Sequence, residues 1–176
     1  MKDVFIVGAG MAGVSCALAL ARRGTSTIVL EKDRRESWSD RMNTAASLAL
    51  AKGAVCLETE VDIRFEFPVD RVSRIDGSAV LVAWNGDAPV IARCGVLAAR
   101  ATAGDVLVPA PPQWLRQTAD VHCGQTGILD LFVCGALSPH GCDTPTAWKH
   151  GQEVAKLVKL SLRRRMQECS RPAQRP

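Results

Sequence analysis

The stretch that most limits what this chain can fold into is its beginning, VFIVGAGMAGVSCALALARRGTSTIVLEKD, from Val4 to Asp33. Val4 to Val7 form a continuous apolar run of the kind found in a parallel strand buried on both faces. The run stops at the spacing G-x-G-x-x-G, in Gly8, Gly10 and Gly13. Gly8 allows a tight turn out of the strand, Gly10 lets backbone approach a pyrophosphate, and Gly13 lets a helix pack closely on the sheet. The spacing predicts a helix from Met11 to about Arg23, closed by Gly24, and its unpaired first-turn N–H groups with Met11 and Ala12 suit phosphate oxygens. A second strand, Thr27 to Leu30, delivers Glu31, 18 positions after Gly13. A carboxylate there can accept the hydroxyls of an adenosine ribose and would repel a 2′-phosphate. The pattern points to a dinucleotide or another ADP-containing ligand. The alternative is a strand–helix–strand unit that keeps its glycines only for packing.

At 176 residues the expectation is one domain over residues 1–167, followed by a basic tail over 168–176. No apolar run reaches the ~18 residues needed to span a membrane. The apolar N-terminus lacks the charged region and cleavage site of a signal peptide. These features predict a cytoplasmic protein with no membrane partner. The net charge of +4 is mild, and without interleaved aromatics the basic C-terminal run RRRMQECSRPAQRP, from Arg163, reads as a frayed end, so no nucleic-acid partner is expected. The seven cysteines are odd in number and form no C-x-x-C pair, which indicates neither a disulfide framework nor a zinc site. Three of them sit in apolar runs as small buried hydrophobes. Cys123 and Cys142, which flank the strand around Cys134, are the candidates for reactive thiols.

After Glu31 the segment KDRRESWSD reads as a polar loop, in which Lys32, Arg34 and Arg35 either face a pyrophosphate or form a solvated turn. A helical stretch, RMNTAASLALAKG, and a short strand, Val55 to Leu57, follow. The segments VDIRFEF, VDRVSRIDG and AVLVAWNGDAPVIAR alternate, and read as an antiparallel β-meander over about 61–93 with a turn at Asn85-Gly86. Gly95 to Arg100 returns as an apolar strand, and a proline cluster at Pro109, Pro111 and Pro112 marks a crossing loop. Residues 127–135 form a last buried strand. A long helix then starts near Thr144-Pro145, with Ala147, Gly151, Val154, Ala155, Val158 and Leu162 on one apolar face.

This order of elements resembles the FAD domain of the two-dinucleotide-binding flavoproteins, of the thioredoxin reductase-like and amine-oxidising kind. The resemblance implies a Rossmann-like, three-layer α/β fold that binds FAD or NAD(P), with a parallel sheet and an inserted antiparallel meander. Only about 25 residues separate the returning strand from the last one, so the family's NAD(P)H domain has no room here. By resemblance, Gly8, Gly10, Met11, Ala12, Gly13, Glu31 and Lys32 lie at the pyrophosphate and ribose, and Val61 at the adenine. Gly135, Ala136, Thr146 and Ala147 lie towards the flavin, where the final helix points its positive end at the ring.

Three positions depart from the family pattern. Glu36-Ser37-Trp38 stands where a pair of glycines is usual, Ala98-Ala99-Arg100 where the returning strand ends Ala-Thr-Gly, and Gly135-Ala136 where the last strand ends Gly-Asp. Asp143 or a partner protein can supply what is missing, or the chain keeps a nucleotide site without flavin chemistry. His140 and His150 are the candidate bases, and Trp148 a candidate stacking group. The resemblance thus implies a small FAD-binding oxidoreductase or the flavin subunit of a larger one. It would take electrons directly from a small-molecule substrate or an electron-transfer protein partner, as a homo- or hetero-oligomer where a partner covers the flavin. The alternatives are a non-catalytic binder of ADP, NAD or FAD, and an NAD-dependent dehydrogenase.

Overall fold

Apolar runs that alternate between two faces build the centre of the molecule. The computed structural model describes residues 1–42, 61–75, 80–86, 88–98, 129–135 and 144–169. Among these, β1 (Lys2–Val7), β2 (Thr27–Leu30), β3 (Asp62–Arg64), β4 (Arg71–Arg74), β5 (Leu81–Asn85), β6 (Ala88–Leu97) and β7 (Leu131–Val133) form one mixed sheet. Its order is β3-β2-β1-β6-β5-β4, and β7 pairs with β6. The helices are α1 (Met11–Ala21), α2 (Arg35–Met42) and α3 (Thr144–Cys169).

In β1, Val4 and Ile6 face one apolar cluster while Phe5 and Val7 face the other, so the strand is buried on both sides. The first cluster lies under α1 and α3, which contribute Val14, Leu18, Val154 and Val158 among others. The second joins Phe5, Ile28 and Leu30 to Phe67, Val72, Leu81 and Val90, so the meander and its approach cover the opposite face. Each large side chain buried this completely is worth ~1.5–3 kcal/mol. β6 joins the two parts of the sheet. Its first half pairs antiparallel with β5, while its second half runs parallel to β7 on that same side, and β1 runs parallel along its other side. Its burial changes accordingly, from alternation over Pro89–Arg93 to continuous burial from Cys94.

The structure corrects five readings. The polar segment after Glu31 is not a loop throughout, because Arg35–Met42 is helical and Trp38 is its buried position. A helix this short, with Trp38 as the buried position among Arg35–Asp40, carries no periodic signal. The VDIR segment is not the start of the meander but a third parallel strand, with Ile63 opposite Val29. Alternation of three residues does not reveal strand direction. The meander therefore comprises β4, β5 and the first half of β6, with Gly86 in the turn, and its last strand is continuous with the returning strand. The last strand is confined to Leu131–Val133. Val55 to Leu57, the proline cluster and residues 113–126 lie outside the described residues.

The fifth correction concerns the basic tail, since α3 runs on through Arg163-Arg164-Arg165 to Cys169. Arg165 forms an ion pair with Asp130, whose other oxygen accepts a hydrogen bond from Ser161 Oγ. Asp130 is buried, with φ at +67° just before β7. Deleting one member of a buried pair strands the other charge at a cost of ~3–5 kcal/mol. Asp130→Ala is thus expected to lower the unfolding free energy by about 3–5 kcal/mol, read as a lower urea midpoint, and an unchanged midpoint would show the pair to be dispensable.

Cys16, Cys94 and Cys134 are buried thiols outside any disulfide, as their apolar settings suggested. Burial pushes the Cys16 thiol up to about 12 and that of Cys94 up to about 11 from an ordinary 9.0, with Arg165 opposing the rise at Cys94. The folded chain therefore binds more protons than the unfolded one above pH 9. This contribution to stability is complete below that pH and is lost as the pH rises towards 11. Urea midpoints should hold up to about pH 9 and fall by about pH 10.5; a flat profile would contradict the burial of these thiols. No described helix is long and apolar enough to cross a membrane.

Candidate functional site

The site is assembled at the carboxyl ends of the parallel strands, beside the point where the chain order reverses around β1. Gly8 leaves β1 with φ at +97°, and its N–H donates to Leu30 O at 2.8 Å. That conformation excludes most side chains, so the turn needs this glycine. Gly13 is required for a different reason, because a Cβ there would lie 2.1 Å from Gly8 O and 3.2 Å from Ala98 Cβ. Its close contact is therefore with the turn itself and the end of β6.

Gly10 is required by neither its conformation nor its packing. Its φ of −73° and ψ of −179° suit any residue, and among the described residues the nearest atom to an added Cβ is Ala98 O at 4.0 Å. The residue is exposed, and it heads α1, whose N-terminus carries no side-chain cap. The chain thus keeps open space against the first-turn N–H groups of Met11, Ala12 and Gly13, at the positive end of the helix dipole.

Glu31 closes one side of this space. It is buried, and its Oε2 accepts from Ala9 N–H at 2.8 Å while Oε1 accepts from Asp33 N–H at 3.1 Å. Backbone donors hold the carboxylate in one orientation, and each carboxylate oxygen can accept more than one hydrogen bond. Lys32 follows on the exposed side. Arg34 is engaged at the surface, where its Nε lies 3.1 Å from Glu66 Oε1, which removes it as a free phosphate ligand.

Val61 does not join this group. It is buried at the amino end of β3, whereas Arg64 O, at the other end, accepts from Glu31 N–H. The segment that reaches Glu31 is Phe65 to Phe67, with Phe67 N–H donating to Glu31 O at 2.9 Å. A strand rises by about 3.3 Å per residue, so Val61 stands at the end of β3 away from Glu31.

Of the C-terminal candidates, Gly135 and Ala147 lie by α1. Gly135, with φ at +73°, comes so close that a Cβ would lie 2.9 Å from Ala12 Cβ. A Cβ on Gly151 would lie 2.2 Å from Ala12 O, so α3 crosses α1 backbone to backbone. Ser15 Oγ donates to Trp148 O at 2.6 Å. In the first turns of α3, Thr146 is exposed and Ala147 is buried beside the same cluster as Ala12. His150 has a defined structural task, as its Nδ1 accepts from Gly135 N–H at 3.2 Å. That bond assigns the ring proton of neutral His150 to Nε2. Ala136, His140, Asp143, Arg100, Cys123 and Cys142 lie outside the described residues.

Residues 3–47 match the family model described as FAD dependent oxidoreductase. Among solved structures, the ferredoxin-flavin thioredoxin reductase of Clostridium acetobutylicum superposes with a TM-score of 0.72 at 11% identity, over 94% of this chain and 99% of that one. The atypical thioredoxin reductase of Desulfovibrio vulgaris Hildenborough gives 0.71 at 11% identity, over 97% and 100%. The chain has a thioredoxin reductase-like fold. The Lactococcus lactis thioredoxin reductase gives 0.70 at 12% identity, over 93% and 100%. A search of curated protein sequences gives no match.

In this thioredoxin reductase-like fold, the described residues fit the ADP half of FAD. Open space at Gly10, an uncapped helix N-terminus and an oriented carboxylate are the three features that half requires. Sequence reasoning missed Trp38 as part of the turn. Its Nε1–H donates to Ala9 O at 2.8 Å, a contact across 29 positions with no periodic signature.

Proposed function

We propose that this chain binds FAD and serves as a small flavin-dependent oxidoreductase, or as the flavin-binding subunit of one, with electrons taken directly from a bound substrate or protein partner. The observation that carries the binding part is Gly10, a glycine that neither the turn nor the packing needs. Its remaining use is to let a pyrophosphate reach the backbone. The N–H groups of Met11, Ala12 and Gly13 would neutralise the phosphate charge, and the Glu31 carboxylate would accept the ribose hydroxyls. Gly135, Thr146 and Ala147 would lie on the path towards the ring, alongside the first turns of α3. When bound, the isoalloxazine supplies the redox chemistry by accepting a hydride. The His150–Gly135 bond would hold the backbone at the end of β7 in place for it.

The experiment is spectroscopic. Protein purified with FAD and freed of excess ligand should show flavin absorption bands, and anaerobic addition of candidate amines, NADH or NADPH should bleach them if the chain is an enzyme. Flavin bands that no reductant bleaches would support a non-catalytic binder. No flavin bands from folded protein would overturn the proposal, and binding of ADP or NAD alone would then favour a non-flavin nucleotide binder.

A further inference from the structure

We propose that Trp38 is a positioning residue of the phosphate-binding turn, which locks the Ala9–Gly10 peptide so that the Gly10 N–H faces the ligand. The proposal rests on the dinucleotide reading given above. It arises at one of the three departures from the family pattern, where Glu36-Ser37-Trp38 replaces a pair of glycines.

Ala9 is fully buried between half-buried Gly8 and exposed Gly10, and both of its backbone polar groups are held by side chains. Its N–H donates to Glu31 Oε2 and its carbonyl accepts from Trp38 Nε1–H, each at 2.8 Å. Trp38 is itself 3% exposed and leans on Phe65, with ring centroids 5.5 Å apart at 56°. The peptide bond is trans, so its C=O and N–H point in opposite directions. With Ala9 O drawn inward onto the indole, Gly10 N–H must face outward, on the side where Gly10 is exposed.

This lock answers a problem created by the site itself. A glycine leaves room for phosphate, but it also lets the preceding peptide plane turn over at little cost. A flipped plane would present the Ala9 carbonyl oxygen to the phosphate, and the repulsion would replace a hydrogen bond. Turning over while Trp38 is present would leave the buried indole N–H unpaired, which costs ~1–3 kcal/mol. The indole therefore favours the binding-competent plane before any ligand arrives, and this kind of preorganisation raises affinity.

The test compares wild type with Trp38→Phe, which keeps an aromatic ring against Phe65 and removes the donor. Affinities for ADP and for adenosine are measured by NMR titration, alongside thermal melting. The lock predicts that Trp38→Phe weakens ADP binding about tenfold. Adenosine binding should change by less than about twofold, because only ADP carries the pyrophosphate. Unchanged ADP affinity, or equal losses for both ligands, overturns the positioning role while leaving the dinucleotide reading intact. A wild type that binds neither ligand overturns the dinucleotide reading itself, and the proposal with it. If Trp38→Phe does not fold, the wild-type protein decides. The Trp38 indole N–H should exchange slowly with solvent and the Gly10 amide should shift on adding ADP, whereas an indole exchanging like free tryptophan overturns the lock.

Discussion

Gly10→Val is expected to melt within a few degrees of wild type and to lose affinity for ADP and FAD by about 100-fold or more, equivalent to ~2.7 kcal/mol. The fold tolerates the side chain because the backbone at Gly10 is extended and nothing among the described residues lies closer than 4.0 Å to a new Cβ. A ligand resting on the first turn of α1 does not tolerate it, since two methyl groups would occupy the phosphate position. Gly13→Ala provides the contrast, because its Cβ would strike Gly8 O and damage fold and binding together. Isothermal titration with ADP and a thermal melt of each variant separate the two cases. Full ADP affinity in Gly10→Val would mean that the glycine spacing does not serve a phosphate.

Gly151→Ala is expected to cost ~3 kcal/mol or more, at the upper end for overpacking a tight interior. For a chain of this size that is a drop of about 10 °C in melting temperature. The atoms in the way are backbone, Ala12 O at 2.2 Å and Cys16 N at 3.0 Å, so no rotamer change relieves the clash and α3 must move off α1. Ala12 stands in the first turn of α1, so the displacement also reaches the proposed phosphate site and should weaken ADP binding. A melting temperature unchanged to within 2 °C would contradict backbone-to-backbone crossing of the two helices.

Features carried by local chemistry were legible in the sequence. The glycine spacing, the bounds of β2, the turn at Gly86 and the apolar face of α3 each follow from backbone conformation or a repeating pattern, and each is found in the structure. Features set by contacts between distant residues were not legible. A three-residue strand such as Asp62–Arg64 alternates identically whether it runs parallel or antiparallel, so only its pairing with Ile28 to Leu30 assigned it to the parallel part. Arg165 looked like part of a solvated basic run because its partner, Asp130, lies 35 positions earlier. Trp38 looked like a lost glycine, and the structure shows its indole bonded to the residue between the first two glycines of the fingerprint. In the candidate site, the turn from Gly8 to Gly13 and the place of Glu31 beside it were readable from spacing. The place of Val61 at the far end of β3 was not, because strand polarity decides which end of β3 stands beside Glu31.

The most direct measurement is equilibrium dialysis of the purified chain against FAD, with ADP as competitor and circular dichroism to establish that the protein is folded. If the opening strand–turn–helix holds a pyrophosphate, about one FAD is retained per chain and excess ADP displaces it. Folded protein that retains no FAD, or that retains it undisturbed by ADP, would contradict binding at this turn.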